Sequence, residues 1–407
     1  MDSVSELNSE KKLRRLSRSF RFYKYAAIVV FVIFVVGGLF VFKDEITSEN
    51  LRYLIKYLDL SNTDPGTGES TLTFDSSQSL SRGALFKNDL VMVGPNSIDV
   101  YDLFNGRIYS DTFIMSRPAF SVSSKHVLVY DIGGKDARLF NSFSSLWSAT
   151  YDYPIFCADA SDSGKFAVAT SEKNYHSAVY VYDTAYDRIF KWLSADKYVS
   201  DVALSDQDDT SLAIAALRAE KGDFVSELLL FKVFEKDPVA SWSFPGQMPL
   251  KTFTSAAASV LLTDRALHVI PEGSQPITVS FPTDKQLVIY GFFDDFYAVV
   301  LNDNTVGVNQ RLMIAYPSGK YDSIDFNEEI IDLSANGKDL YLLMQNKIAV
   351  VNVSDLTVTE YPVEGEYTSL CVAGDRSVVL INSSGARLTQ LKGAPGPSSA
   401  DNINGGQ

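Results

Sequence analysis

The sequence predicts an all-β fold: an eight-bladed β-propeller, with seven blades as the alternative, behind a single N-terminal transmembrane helix and a short juxtamembrane helix. Three observations predict it. The first is a unit of roughly 40 residues recurring between about Gly83 and Leu391. Each unit has a strand ending apolar-aromatic-Asp/Asn, a short turn, and a strand with a central aromatic. Val100-Tyr101-Asp102 to Tyr109, Leu139-Phe140-Asn141 to Trp147 and Val181-Tyr182-Asp183 to Trp192 show it clearly. The second is the uncharged run from Tyr25 to Phe42. The third is a spare alternating segment, Thr71-Leu72-Thr73-Phe74-Asp75, which belongs to no unit of its own.

The N-terminal residues 1–24 form a basic, polar tail. Seven Lys and Arg residues, from Lys11 to Lys24, oppose three acidic side chains and give a net +4. Residues 25–42 then read as a transmembrane helix. At about 1.5 Å per residue they span roughly 27 Å, against a hydrocarbon core of about 30 Å. Thirteen of them are Val, Ile, Leu or Phe, favouring insertion by about 4–8 kcal/mol. The positive-inside rule places the tail in the cytoplasm and everything from residue 43 outside the cell. No small-x-small pair follows the span, and its apolar core exceeds that of a signal peptide. An uncleaved signal-anchor in the cell membrane is therefore expected, with the lipid bilayer as partner of residues 25–42.

Residues 43–60 contain a short amphipathic helix. Ser48-Glu49-Asn50 offers its cap, and Leu51, Leu54, Ile55 and Leu58 recur at helical spacing. It either lies on the outer leaflet or caps the propeller. Residues 61–70 (Ser-Asn-Thr-Asp-Pro-Gly-Thr-Gly-Glu-Ser) are a linker by composition. The propeller occupies residues 71–392. First strands are predicted near Gly83, Pro118, Pro154, Tyr198, Pro249, Gln286, Glu328 and Glu366. A turn follows several of them: Ser161-Asp162-Ser163-Gly164-Lys165, Ser205-Asp206-Gln207-Asp208-Asp209 and Ser334-Ala335-Asn336-Gly337-Lys338. Blade eight lacks a fourth strand, and the spare segment near residue 71 is predicted to supply it and close the ring. The unit Pro249–Phe281 is the weakest, and misreading it would leave seven blades. Residues 393–407 cannot bury anything by composition and are expected to be unstructured.

Composition bounds function. The chain carries a net charge of −14, so the part outside the tail carries −18. That argues against nucleic acid as a partner, because phosphate binding needs clustered Lys and Arg. Cys157 and Cys371 fall in inner strands of non-adjacent blades, too far apart for a disulfide, and are expected to be buried free thiols. His126, His176 and His268 sit in different blades without ligand spacing. Asp206, Asp208 and Asp209 lack the order of a calcium loop. Asp294-Asp295 sits at a hairpin turn, where Asp is ordinary. Trp147, Trp192 and Trp242 follow the blade period, which favours core packing over sugar stacking. No catalytic, cofactor-binding or metal-ligating set is assigned.

The Ser-Asp-Ser-Gly-Lys turn and the Val-Tyr-Asp strand ends resemble WD40-like and TolB-like propellers. The strand-turn-Trp pattern is similar to quinoprotein-type repeats, although only Asn105-Gly106 and Ser318-Gly319 approach the quinoprotein Thr-Gly turn. The whole plan, with the helix Asn50-Leu51-Arg52-Tyr53-Leu54-Ile55 between span and propeller, resembles a clostridial-type Gram-positive family of membrane-anchored propellers of unknown function, DUF5711. The resemblance implies an envelope location and brings no catalytic residues. Two functions fit. One is a scaffold binding another envelope protein or cell-wall material. The other is an enzyme or small-ligand sensor with its site at the channel mouth. Self-association through the span or the 51–58 helix stays open.

Overall fold

The computed structural model describes residues 28–32, 69–74, 82–207, 210–303 and 309–392, and the backbone of Asp401–Asn402. Residues 1–62 and 63–407 form separate compact units. Of the first, residues 28–32 are a helical turn with exposed side chains. Among the described residues no helix is long and apolar enough to cross a membrane. The rest of the 25–42 span and all of the 1–24, 43–60 and 61–68 segments lie outside them.

The second unit is a propeller of eight antiparallel sheets. Blades 1 to 7 take residues 82–112, 118–150, 157–194, 197–245, 249–280, 285–326 and 332–362. Blade 8 combines residues 369–390 with the early strand Ser70–Thr73. The expected closure is present: Ser70 pairs with Leu388, Thr71 with Arg387, Leu72 with Ala386 and Thr73 with Gly385. The seven-bladed alternative is excluded, because residues 249–280 form a complete four-stranded sheet.

The packing repeats as the pairing does. Eight clusters of buried apolar side chains lie one at each junction between neighbouring blades. A blade therefore contributes one face to each of two cores, which is why its middle strands, such as Asp89–Val93, Val127–Asp131 and Ala258–Thr263, are buried along their whole length rather than alternately. The tryptophans serve these junctions, as their period implied. Trp147 on the outer strand of blade 2 packs at 4.8 Å from Phe166 and 5.3 Å from Tyr182 of blade 3. Trp192 of blade 3 meets Phe231 of blade 4 edge-on at 5.8 Å. Trp242 of blade 4 joins the cluster containing Ile270 of blade 5.

Three expectations need correction. The inner strands of blades 3, 7 and 8 begin at Cys157, Asp332 and Ser369, three or four residues later than expected. The apolar stretch before Cys157 is used as a connector: Ile155 bridges to Ile132 of blade 2. Cys157 is buried, but Cys371 is only half-buried, on the inner strand of blade 8. Both are free thiols, and burial pushes Cys371 up to about 12. Finally, within the segment expected to be unstructured, Asp401–Asn402 pairs with the outer strand of blade 6. Edge pairing uses backbone groups alone, so composition carries no signal of it.

Each blade runs inner strand to outer strand as four antiparallel passes. The connections between blades therefore share one face of the ring with the hairpins joining second and third strands. We call this the connection face. The remaining turns share the opposite, turn face. Because Ser70 lies opposite Leu388, near the end of the third strand of blade 8, the chain enters and leaves the ring on the turn face. An ion pair between Glu69 and Lys392, 3.2 Å apart, holds entry and exit together there.

Candidate functional site: channel wall and connection face

Ionisable side chains meet on the channel wall across blades 2 to 6. Asp159, on the inner strand of blade 3, accepts from the Ser121 hydroxyl of blade 2 at 2.7 Å and from the Leu204 N–H of blade 4 at 2.9 Å. Asp201, on the inner strand of blade 4, accepts from Lys251 Nζ at 2.9 Å and the Thr252 N–H at 2.8 Å, both in blade 5. Asp332 of blade 7 repeats the arrangement, accepting from the Ser369 hydroxyl at 2.7 Å and the Leu370 N–H at 2.8 Å in blade 8. Burial alone would lower Lys251, but the carboxylates of Asp201 and Asp159 outweigh it and hold the ammonium above its usual range. Burial pushes Asp159 upward.

Ser121, Asp159, Lys251 and Thr252 line a cavity of about 290 Å³ that also receives Phe253, Tyr290 and Phe292. A lysine held protonated is neither a nucleophile nor a base, and both Asp159 oxygens are occupied. The arrangement stitches blade to blade. Its sequence signal is one Asp within or at the start of an inner strand, at Ala158-Asp159-Ala160, Ser200-Asp201-Val202 and Ile331-Asp332-Leu333.

The recurring turn has a similar role on the turn face. Gly164 and Gly337 adopt positive φ, 92° and 56°, as the pattern requires. Beyond that, the Ser124 N–H of blade 2 donates to Asp162 of blade 3 at 2.6 Å, and the Asp162 N–H donates to Asp206 of blade 4 at 2.7 Å. Burial raises Asp206 to about 6. Asp208 and Asp209 lie outside the described residues. Asp294-Asp295 forms the hairpin turn between strands Lys285–Phe292 and Tyr297–Asp303, as expected.

The histidines stay apart. His126 follows the inner strand of blade 2, and His176 lies on the connection face, stacked on Tyr198 of blade 4 at 4.5 Å. His268 is buried in blade 5, 3.7 Å from the Phe244 ring. It bonds to Gln247 Oε1 at 2.8 Å and to Thr278 Oγ1 at 2.9 Å. With Gln247 accepting, Nε2 carries the proton and Nδ1 accepts from Thr278. Burial lowers its pKa to about 4. The unfolded chain therefore binds the proton more tightly, and stability falls as pH drops from about 6.5 toward 4, by about 3 kcal/mol in all. Urea denaturation at pH 7 and pH 4.5 should show this loss in the native chain and a flatter dependence in His268→Gln. Equal slopes would mean that His268 does not titrate as its burial requires.

The connection face is divided. Over the first five blades it carries exposed apolar side chains: Ile114, Tyr153, Tyr175, Tyr198, Phe224 and Met248, from 37% to 87% exposed. The long blade 4 hairpin, Ser211–Glu220 with Asp223–Lys232, brings Phe224 to this face. Over blades 7 and 8 the same face carries the exposed Glu328, Glu329, Glu364 and Glu366. Several of these border an open cavity of about 950 Å³.

A family model described as a family of unknown function, DUF5711, matches residues 67–391. The chain belongs to this family. The matched region contains nearly the whole DUF5711 propeller described above. No curated protein matches its sequence. Among solved structures, BamB from Moraxella catarrhalis is similar at a TM-score of 0.51 and 9% identity, covering 80% of this chain and 99% of that one. AztD from Citrobacter koseri matches at 0.49 and 10%, covering 72% and 88%. The dihydro-heme d1 dehydrogenase NirN matches at 0.49 and 13%, covering 76% of each chain. At these identities the likeness to BamB speaks for the propeller fold alone.

Proposed function

We propose that this DUF5711 chain is a single-pass membrane protein whose propeller stands outside the cell as a scaffold for another envelope protein. The basic tail and the apolar run of residues 25–42 support the topology. The carrying observation for the scaffold is the row of exposed apolar side chains on the connection face. Exposed aromatics gathered on one face are the usual anchors of protein interfaces. The chain enters and leaves the propeller on the turn face, opposite the connection face.

Photo-crosslinking residues placed at Tyr198 and Phe224, compared with Phe104 and Phe234 on the turn face, test this in native membranes. The expected result is one recurrent partner captured from Tyr198 and Phe224 only. Capture restricted to the turn face, or none at any position, would overturn it. The alternative, a small-ligand sensor, draws support from the channel cavity, where Lys251 has donors beyond the one given to Asp201. Thermal stabilisation by a small ligand, lost in Lys251→Met, would favour it.

A further inference from the structure

Another concave site lies away from the channel and shares Tyr153 with the apolar row. It is a groove of about 400 Å³ at the outer junction of blades 2 and 3, lined by Tyr151, Tyr153, Tyr180, Glu172, Arg188 and Lys191 among others. Its size falls within the range of about 300–1,000 Å³ typical of ligand pockets.

The walls are held in place. Tyr151 and Tyr180 stack with ring centroids 6.2 Å apart and planes 15° from parallel. The Tyr180 hydroxyl donates to Glu172 at 2.7 Å, and Lys191 Nζ donates to the other Glu172 oxygen at 2.8 Å. The Tyr151 and Tyr182 hydroxyls bond at 3.1 Å. Groups fixed before a ligand arrives lose little freedom on binding.

Other groups in the groove are still available. Arg188 lies over the Tyr180 ring, 5.2 Å from its centroid. Among the described residues it makes no hydrogen bond or ion pair, so its fork of N–H donors is unused. Tyr153 is 37% exposed. The neighbouring Asp152 carboxylate is also exposed and lines the groove.

We propose that this groove binds an uncharged saccharide chain, with Tyr153 as the stacking surface and Arg188 as the clamp on vicinal hydroxyls. A sugar ring presents an apolar C–H face, which an aromatic ring accepts, and an edge of adjacent hydroxyls. A planar guanidinium or a carboxylate meets that edge with two parallel hydrogen bonds. The lining carries Asp152 and Glu172 against Arg188 and Lys191, and this balance selects against strongly anionic and strongly cationic polymers. The proposal does not rest on the scaffold reading: failed crosslinking on the connection face would leave it standing, and failed sugar binding would leave the scaffold standing.

The test is calorimetric titration of the full chain in phospholipid nanodiscs, because alkyl-glucoside detergents would compete. The probes are tetrasaccharides of N-acetylglucosamine, glucose, galactose and mannose, with oligomeric glycerol phosphate as the charged comparison. Saturable binding of at least one tetrasaccharide is expected, weakened tenfold or more in both Arg188→Gln and Tyr153→Ala. Both positions are exposed, so the melting temperature of each variant should stay near that of the native chain. Three results would each overturn the proposal: no saturable binding of any uncharged probe, equal binding by native chain and variants, or preference for glycerol phosphate.

Discussion

Gly385→Ala is expected to unlatch the ring. Gly385 sits opposite Thr73 in the closing pair, and a Cβ there would run into the backbone carbonyl of Leu72. Backbone cannot yield as a flexible side chain can, so the 70–73 strand must move. Moving it uncovers Leu72, which is 8% exposed in a cluster with Leu90, Met92, Tyr101 and Leu388. It also separates Phe74 from the Tyr101 ring, 5.4 Å away. Exposing one leucine and one aromatic contact costs about 3–4 kcal/mol, and the freed edge of blade 8 loses a row of backbone hydrogen bonds besides. Denaturation midpoints and hydrogen exchange of residues 378–390 report it. Unchanged stability with unchanged protection of that edge would show that the strand accommodates the methyl group.

Asp201→Ala is expected to cost about 3–4 kcal/mol, because it leaves both the Lys251 ammonium and the buried Thr252 N–H without their acceptor. Lys251→Met is expected to cost about as much, because it leaves the Asp201 carboxylate, 7% exposed, without its counter-ion and with the Thr252 N–H as its remaining donor. Removing both ends, as Asp201→Leu with Lys251→Met, should recover part of the loss, because no unpaired charge remains. Urea denaturation of the three variants gives the coupling energy. A double variant whose loss equals the sum of the singles would mean that the pair is not coupled across the blade junction.

Much of the architecture was readable because each blade must satisfy the same packing problem. The apolar middle strands, the Tyr-Asp strand ends and the outer tryptophans recur for one cause: every blade has two neighbours. The orphan segment near residue 71 was readable for the converse reason, since blade 8 lacked a strand and an edge must be covered. The latches were not readable. Asp162 and Asp206 look like ordinary turn residues, and their bonds to the next blade depend on the spatial register of the ring. Asp159 and Lys251 stand 92 positions apart in the chain, yet line one cavity. The saccharide groove was hidden similarly. Tyr153 lies in the connection between blades 2 and 3 and Arg188 on the outer strand of blade 3, and each alone reads as a surface residue.

Closure by the early strand sets a timetable. Residues 70–73 are synthesised first among all the blades, yet their partners, 385–388, come last. At about 5–20 residues per second, the roughly 300 residues between them take about 15–60 s to appear. Throughout that interval Leu72 has no core to enter and the strand no neighbour. The circle is completed only when the final blade arrives. Loss of even the last dozen propeller residues should therefore strand the beginning of the molecule as surely as its end.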